Sequence, residues 1–99
     1  MNIYDYITPT IGEEFTTLLE KENIKIVRIV SSDKLEAKEY CQEENEFVIL
    51  LEGKATLDIK GKRIKLSRGD TLFIPARTEH KILATKKGTL WLAIYFNAI

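Results

Sequence analysis

The amino-acid sequence predicts an all-β fold, a small antiparallel β-barrel or jelly-roll made of a single domain. Several short segments alternate hydrophobic and polar residues, as half-buried strands do. Scattered glycines and prolines separate these segments, and about eight short strands joined by turns are typical of a sandwich or small barrel. The length of 99 residues is that of one domain. We expect this domain to span residues 1–99, with its core at about 15–97.

The clearest strands form a predicted hairpin in the middle of the chain. Apolar residues alternate with polar ones over 55–59, and the alternation resumes over 63–67. A two-residue turn at Gly61-Lys62 would pair Ile59 with Ile64, because glycine readily adopts the positive φ that such a turn needs. This register places the apolar residues of both strands on one face.

Five other segments are predicted strands, namely residues 13–20, 24–30, 47–51, 71–74 and 90–96. The first of them also fits the stripe of a helix, but Thr16 and Thr17 favour a strand. The last is apolar on both faces, so something must cover its second face. We expect a second copy of the chain to do so in a homodimer, with cover by the N-terminal segment as the alternative.

The charge balance argues against two classes of partner. The chain carries 15 basic and 15 acidic side chains, so it lacks the basic face that nucleic acid or an anionic membrane requires. Its apolar runs are far shorter than the roughly 18 residues of a membrane-spanning helix. Cys41 is the only cysteine, which excludes an internal disulfide, and residues 1–6 lack the features of a secretory signal. We therefore expect a cytoplasmic protein without nucleic-acid or membrane partners.

Two sets of spaced residues resemble the two motifs of the cupin superfamily, whose members are small β-barrels. In the first set, Glu46 is followed after six residues by Gly53. In the second, Gly69, Pro75 and His80 stand at the family's spacing. The resemblance implies a barrel fold, but it implies no particular activity, because one fold hosts many unrelated chemistries.

The sequence departs from these motifs at several positions. Tyr40 and Gln42 occupy the two histidine positions of the first motif, and Arg77 replaces the usual glycine of the second. Residues 40–47 and 74–80 resemble more closely a group of short, uncharacterised single-domain cupins. That resemblance covers most of the chain, and it implies a function that is likewise uncharacterised.

The resemblance also implies a candidate metal site inside the barrel. In metal-binding cupins, three histidines and the glutamate hold one divalent transition metal, such as Mn, Fe, Ni or Zn. Here Gln42, Glu46 and His80 are the candidate ligands. We expect this incomplete set to bind a metal weakly, because an amide is a poorer ligand than an imidazole. Arg77 would repel the metal ion if its guanidinium pointed inward.

The alternative hypothesis is a metal-free module that binds or senses a small anion through Arg77 and His80. A guanidinium binds carboxylate or phosphate well, and Tyr40 would join Arg77 in contacting the ligand. A third possibility is a structural subunit whose function is its dimer face. The sequence assigns no catalytic residue, because His80 is the only histidine and no nucleophile lies in a recognisable motif. Whether the protein is an enzyme stays open at this point.

Overall fold

A computed structural model describes residues 1–36 and 38–97 of the chain. Positions 37, 98 and 99, which the domain prediction included, lie outside the described residues. The described residues form strands and no helix, so none of them belongs to a helix that could cross a membrane. The predicted all-β fold is confirmed. The strands are β1 (Glu13–Lys21), β2 (Ile24–Ser31), β3 (Glu39–Tyr40), β4 (Asn45–Glu52), β5 (Lys54–Ile59), β6 (Lys62–Ser67), β7 (Thr71–Ile74), β8 (His80–Thr85) and β9 (Thr89–Phe96).

The strands form two antiparallel sheets that face each other. One sheet has the order β1-β2-β9-β4-β7 and the other the order β3-β8-β5-β6. Side chains from the inner faces of both sheets share one hydrophobic core, as expected when each strand turns every second residue inward. The buried core residues are Val27, Ile29, Val48, Leu50, Ala55, Leu57, Leu66, Trp91 and Ala93. This arrangement is the predicted jelly-roll.

The central strand β9 lies between β2 and β4 and is apolar on both faces, so its outer face also needs a cover. The N-terminal segment covers one end of that face. Arg28 Nη1 donates a hydrogen bond to the Asp5 carbonyl at 3.0 Å, and the Tyr6 hydroxyl donates to the Gly88 carbonyl at 3.0 Å. Leu90, which faces outward between these contacts, is completely buried.

The other end of the same outer face is still open to solvent within the described chain. Leu19, Ile24 and Phe73 are 47%, 37% and 49% exposed there. Phe73 stacks on Phe96, with ring centroids 6.3 Å apart. The N-terminal segment, one of the two covers considered from the sequence, therefore covers only part of this face.

The predicted hairpin is present, but its register is wrong by two residues. Strands β5 and β6 pair Ile59 with Lys62, where Ile64 was expected. The turn is thus Lys60-Gly61, and both residues have positive φ, 52° and 81°. Tight hairpin turns that match the twist of the strands require positive φ at both central positions. Because the error is an even number of residues, every side chain stays on its predicted face.

The glycine at the end of the first motif has a structural reason. Gly53 connects β4 to β5 with a φ of 93°, a conformation that other residues rarely adopt. A Cβ atom at this position would also lie 2.7 Å from Cα of Thr89, at the start of β9. The close approach of the two backbones therefore admits no side chain.

We predict that Gly53→Ala lowers the free energy of unfolding by more than about 2 kcal/mol, because backbone strain and overpacking each cost about 1–3 kcal/mol. Gly61→Ala is the matched control, since Gly61 also has positive φ but a Cβ there would contact nothing within 4 Å. We expect it to cost about 1 kcal/mol. Urea unfolding measures both values, and equal losses would contradict the steric explanation.

Candidate functional site

Four of the five predicted site residues meet at one end of the space between the sheets. Glu46 faces inward from β4 beside Tyr95 of β9, and His80 begins β8 beside Tyr40 of β3. Gln42 lies in the short connection between β3 and β4. Glu46 and His80 are only 7% and 6% exposed. The inward pleat of two facing strands therefore brings the ionisable residues of both sequence motifs together.

The carboxyl of Glu46 is the centre of this group. His80 Nε2 lies 3.9 Å from Glu46 Oε1, and Gln42 Nε2 donates a hydrogen bond to the same oxygen at 3.1 Å. The other ring nitrogen, His80 Nδ1, lies 3.0 Å from the backbone carbonyl of Thr78. A carbonyl only accepts, so this contact places the proton of the neutral ring on Nδ1. The lone pair of Nε2 then faces the interior.

Two tyrosines complete the walls around this carboxyl. The Tyr40 ring stacks on His80, with centroids 5.7 Å apart and planes inclined by 24°. Tyr95 hydrogen-bonds Glu46 through its side chain, and its phenol is partly buried. Burial, followed by the nearby Glu46 charge, raises the pKa of the Tyr95 phenol. Tyr95 therefore acts as a neutral hydrogen-bond donor at ordinary pH.

Burial changes the ionisation of Glu46. Loss of hydration raises the pKa of Glu46 from an ordinary 4.5 to about 7, although hydrogen bonds from Tyr95 and Gln42 lower it in part. The negative charge of Glu13 raises it further. A carboxyl with this pKa exists in both protonation states near neutral pH. It can therefore accept or donate a proton there.

The sequence analysis missed one carboxyl at the site, that of Glu13. Its carboxylate accepts a hydrogen bond from the Ser31 hydroxyl, and Trp91 Nε1 donates to the Ser31 oxygen at 2.9 Å. Burial raises the pKa of Glu13, and the Ser31 hydrogen bond lowers it in part. One signal in the sequence indicates the position of Glu13. It is two residues from Phe15 in the same strand, so both lie on one face of β1, the inner face.

Three adjoining cavities lie along this group of residues. Two interior spaces of about 40 and 30 Å³ are both lined by Glu13, Glu46 and His80. A groove of about 280 Å³ shares Glu13 and Tyr40 with the larger interior space. Lys38 also lines the groove, with Nζ 5.3 Å from the centroid of the Tyr40 ring. The groove therefore adjoins the candidate site at Glu13, which is half-buried.

The fifth predicted site residue, Arg77, lies outside this pocket. Its side chain is exposed, and Nη1 lies 3.4 Å from a carboxylate oxygen of the exposed Glu43. Arg77 has a φ of 56°, and its backbone N–H donates to the Gln42 carbonyl at 2.8 Å. This turn directs the guanidinium to solvent. The expected repulsion between Arg77 and a metal in the pocket therefore does not arise.

The described residues do not fit the four-ligand metal centre that the cupin resemblance implies. Within residues 1–36 and 38–97, no three His, Cys, Asp or Glu side chains lie close enough together to hold a metal ion. Cys41 is exposed, and the Gln42 amide donates to Glu46. The pair of Glu46 and His80 remains, and two ligands with one amide neighbour form a weak site at most.

We predict that Glu46→Gln is more stable than the wild-type protein at neutral and alkaline pH. A carboxyl whose pKa is raised from 4.5 to about 7 on folding favours the folded state below pH 4.5 and loses that contribution as pH rises through 7. The variant should match the wild type near pH 4 and exceed it by about 3 kcal/mol at pH 8. Urea unfolding at both pH values checks this, with the exposed Glu43→Gln as control. A constant difference between wild type and Glu46→Gln would contradict the assigned pKa.

Comparison with known proteins identifies relatives of the chain. An uncharacterised protein of Methanocaldococcus jannaschii, MJ1618, is 29% identical over 90 residues, which cover 80% of this chain and 70% of the relative. The crystal structure of a provisionally named mannose-6-phosphate isomerase from Ralstonia eutropha JMP134 superposes with a TM-score of 0.89 at 29% identity. It covers 99% of this chain and 97% of its own.

A third comparison shows the fold alone. The conserved SPY1581 protein of unknown function from Streptococcus pyogenes superposes with a TM-score of 0.85 at 16% identity, over 100% of this chain and 87% of its own. The model of the cupin domain family matches residues 29–95, which include both sequence motifs and most of the two sheets. The chain therefore belongs to the cupin domain family.

Proposed function

We propose that the interior of this cupin domain binds a small polar molecule and that Glu46 and His80 exchange a proton with it. The observation that carries the proposal is the approach of His80 Nε2 to Glu46 Oε1, 3.9 Å, inside a buried cavity. A proton acceptor and a carboxyl at this distance flank a space that one polar ligand atom can enter. Buried ionisable pairs in a cavity are typical of functional sites.

The ionisation of the pair supports proton transfer near neutral pH. General acids and bases work best when their pKa lies close to the working pH, and the pKa of Glu46 is about 7. The hydrogen bond of Nδ1 to the Thr78 carbonyl holds the His80 ring with Nε2 as the acceptor. Each group can thus receive a proton that the other loses, with the ligand as intermediary.

The relative from Ralstonia eutropha supports a proton-transfer activity in one respect. Its name describes an isomerase, and sugar isomerases move protons between neighbouring carbon and oxygen atoms. A phosphorylated substrate is a poor match to the interior of this chain, however. The described residues that line the two interior cavities include Glu13 and Glu46 but no lysine or arginine. A phosphate would meet carboxyls there rather than cationic partners.

The position of Arg77 weakens the hypothesis of an anion-binding module. That hypothesis required Arg77 and His80 to face the same ligand, but the Arg77 guanidinium is exposed and pairs with Glu43. Without Arg77, an anion would meet the His80 ring beside the Glu46 carboxyl, with no guanidinium to bind it. A purely structural role also gains no support from a cavity lined by buried, ionisable side chains.

The second candidate function is weak binding of one divalent transition metal by Glu46 and His80. One observation favours it: histidine ligands of metals usually hydrogen-bond a backbone carbonyl or carboxylate through the other ring nitrogen, as His80 does with Thr78. Glu46 and Nε2 of His80 would hold the metal, and Gln42 would stay their neighbour. The metal would supply a Lewis acid at the same position in the pocket.

We also propose a cytoplasmic location and an absence of nucleic-acid partners. Cys41 is free and exposed, which suits a reducing compartment better than an oxidising one. The equal numbers of basic and acidic residues give no electrostatic attraction to nucleic acid. Cell fractionation tests the location, and recovery of the protein in a secreted or periplasmic fraction would contradict it.

We propose that a second copy of the chain covers the rest of the outer face. The exposed Leu19, Ile24 and Phe73 form an apolar patch beside the partly buried Phe96. A large exposed apolar patch on a β-sheet is typical of a protein–protein interface. The patch lies on one face of the five-stranded sheet, so a twofold axis could bring two identical patches together.

We predict that NMR of ¹³C-labelled protein shows the Glu46 side-chain carboxyl titrating with a midpoint near pH 7. Glu46→Gln assigns the carboxyl signal, and the exposed Glu43→Gln should leave the midpoint unchanged. A midpoint near 4.5 would overturn the proposed proton-transfer pair.

The same labelled protein, freed of metal, tests the second candidate. Addition of zinc should move the ¹⁵Nε2 signal of His80 by an amount typical of coordination, and Glu46→Gln should weaken this response. If zinc leaves the His80 signals unchanged at millimolar concentration, the metal-binding candidate is wrong, whereas the proton-transfer proposal is unaffected.

We predict a mass in solution of twice the 11.4 kDa chain, measured by light scattering after size exclusion. Phe73→Lys should shift the protein towards the single-chain mass, because a buried ammonium without a partner destabilises an apolar interface. Leu83→Lys is the matched control, since Leu83 is 42% exposed on β8 of the other sheet. A wild-type protein of single-chain mass would rule out the proposed dimer.

A further inference from the structure

Glu13 occupies a position that no cupin motif of this sequence includes. It is the first residue of β1, and it lines the open groove and both interior cavities. Glu13 therefore borders both the groove and the spaces beside Glu46 and His80. Its carboxylate is held in place by the Ser31 hydroxyl, which Trp91 orients in turn. The arrangement is that of a fixed group rather than of a mobile surface carboxyl.

Both interior cavities are lined by hydrogen-bond acceptors of two kinds, carboxyls and an imidazole. The carboxyls belong to Glu13 and Glu46, which line both spaces. His80 is only 6% exposed, and its Nε2 atom lies 3.9 Å from Glu46 Oε1, which is too far for a hydrogen bond. A ligand that enters this space can therefore donate a hydrogen bond to Nε2.

The interior also lacks a positive charge. Buried carboxylates normally have a cationic partner, because burial of an unpaired charge is costly. Among the described residues that line the two interior cavities, none is a lysine or arginine, and Lys38 lies in the outer groove above Tyr40. Glu13 and Glu46 also repel each other electrostatically. A cation placed between them would relieve both costs at once.

The aromatic walls favour an organic cation. The rings of Tyr40 and Tyr95 border the larger interior cavity, and an ammonium group over an aromatic face gains a further electrostatic attraction. The interior spaces of about 40 and 30 Å³ admit a group as small as a primary ammonium, and the groove of about 280 Å³ can hold the rest of a small molecule. An alkyl chain would pack against the apolar Ile82, which lines all three spaces.

From this convergence we infer that the pocket is selective for small primary ammonium compounds and that Glu13 is the residue that determines this selectivity. The ammonium group binds in the space that Glu13, Glu46 and His80 line together, where the two carboxyls offset its charge. The inference rests on the proposed function, because it names the class of ligand for the same pocket. It adds a site residue, on β1, that neither motif contains.

The test compares three ligands that share a three-carbon chain and differ in charge: propylammonium, 1-propanol and propionate. Binding to metal-free protein at pH 8 is measured by titration of the fluorescence of Trp91, the only tryptophan, which is linked to Glu13 through Ser31. We expect propylammonium to bind at least tenfold more tightly than 1-propanol, and propionate to bind most weakly. This comparison uses the wild-type protein and so does not depend on a variant's folding.

Glu13→Gln tests the assigned residue, because its amide can still accept the Ser31 hydrogen bond but carries no charge. We expect it to reduce the preference for propylammonium over 1-propanol about tenfold. Glu14→Gln is the matched control, since Glu14 is the exposed neighbour of Glu13 on β1 and lines none of the three spaces. It should leave the preference within twofold of the wild type.

Three results would overturn the inference: 1-propanol or propionate binding as tightly as propylammonium, an unchanged preference in Glu13→Gln, or no binding of any of the three compounds. If Glu46 still titrates near pH 7 in these cases, the proton-transfer proposal stands and only the ligand class is wrong. If Glu46 titrates near 4.5, the proposed function itself fails, whatever the ligand result.

Discussion

Alternation along β4 is the constraint on which the rest of the molecule depends. The alternation that buries Val48 and Leu50 in the shared core also turns Glu46, the second residue of β4, towards the interior. The carboxyl cannot leave the interior without reversing the face of the whole strand. The carboxyl therefore needs polar partners inside the protein, and the hydrogen bonds from Gln42 and Tyr95 offset its loss of hydration only in part.

Because the lost hydration of Glu46 is offset only in part, this residue connects the stability of the protein with its proposed function. A fully satisfied carboxylate would keep an ordinary or lowered pKa, whereas burial leaves this one titrating near neutrality. Burial of the charged carboxyl lowers the stability of the folded state, and a ligand that supplies the missing partner would restore it. Such groups are typical of binding sites. His80 and a second carboxyl, Glu13, line the same cavities as Glu46.

The two faces of β9 show how one strand serves two purposes. Its inner residues, Trp91 and Ala93, close the core below the site. Its outer residues need a different cover, which the N-terminal segment provides near Leu90 through Asp5 and Tyr6. The open part near Phe73 is where we place the second copy of the chain. The candidate site and this open patch thus lie on opposite faces of the same sheet.

The sequence by itself determined most of the strands, though not the short β3, because hydrophobic alternation is a local property that survives in any register consistent with burial. Motif spacing that resembles the cupins predicted the fold and the inward direction of Glu46 and His80. Three features were decided only by the tertiary structure. The hairpin register follows from positive φ at Lys60, Arg77 turns to solvent because of its own backbone conformation, and Glu13 joins the site through contacts between strands distant in sequence. Backbone dihedrals and long-range packing leave no periodic trace in the sequence, so neither could be predicted from it.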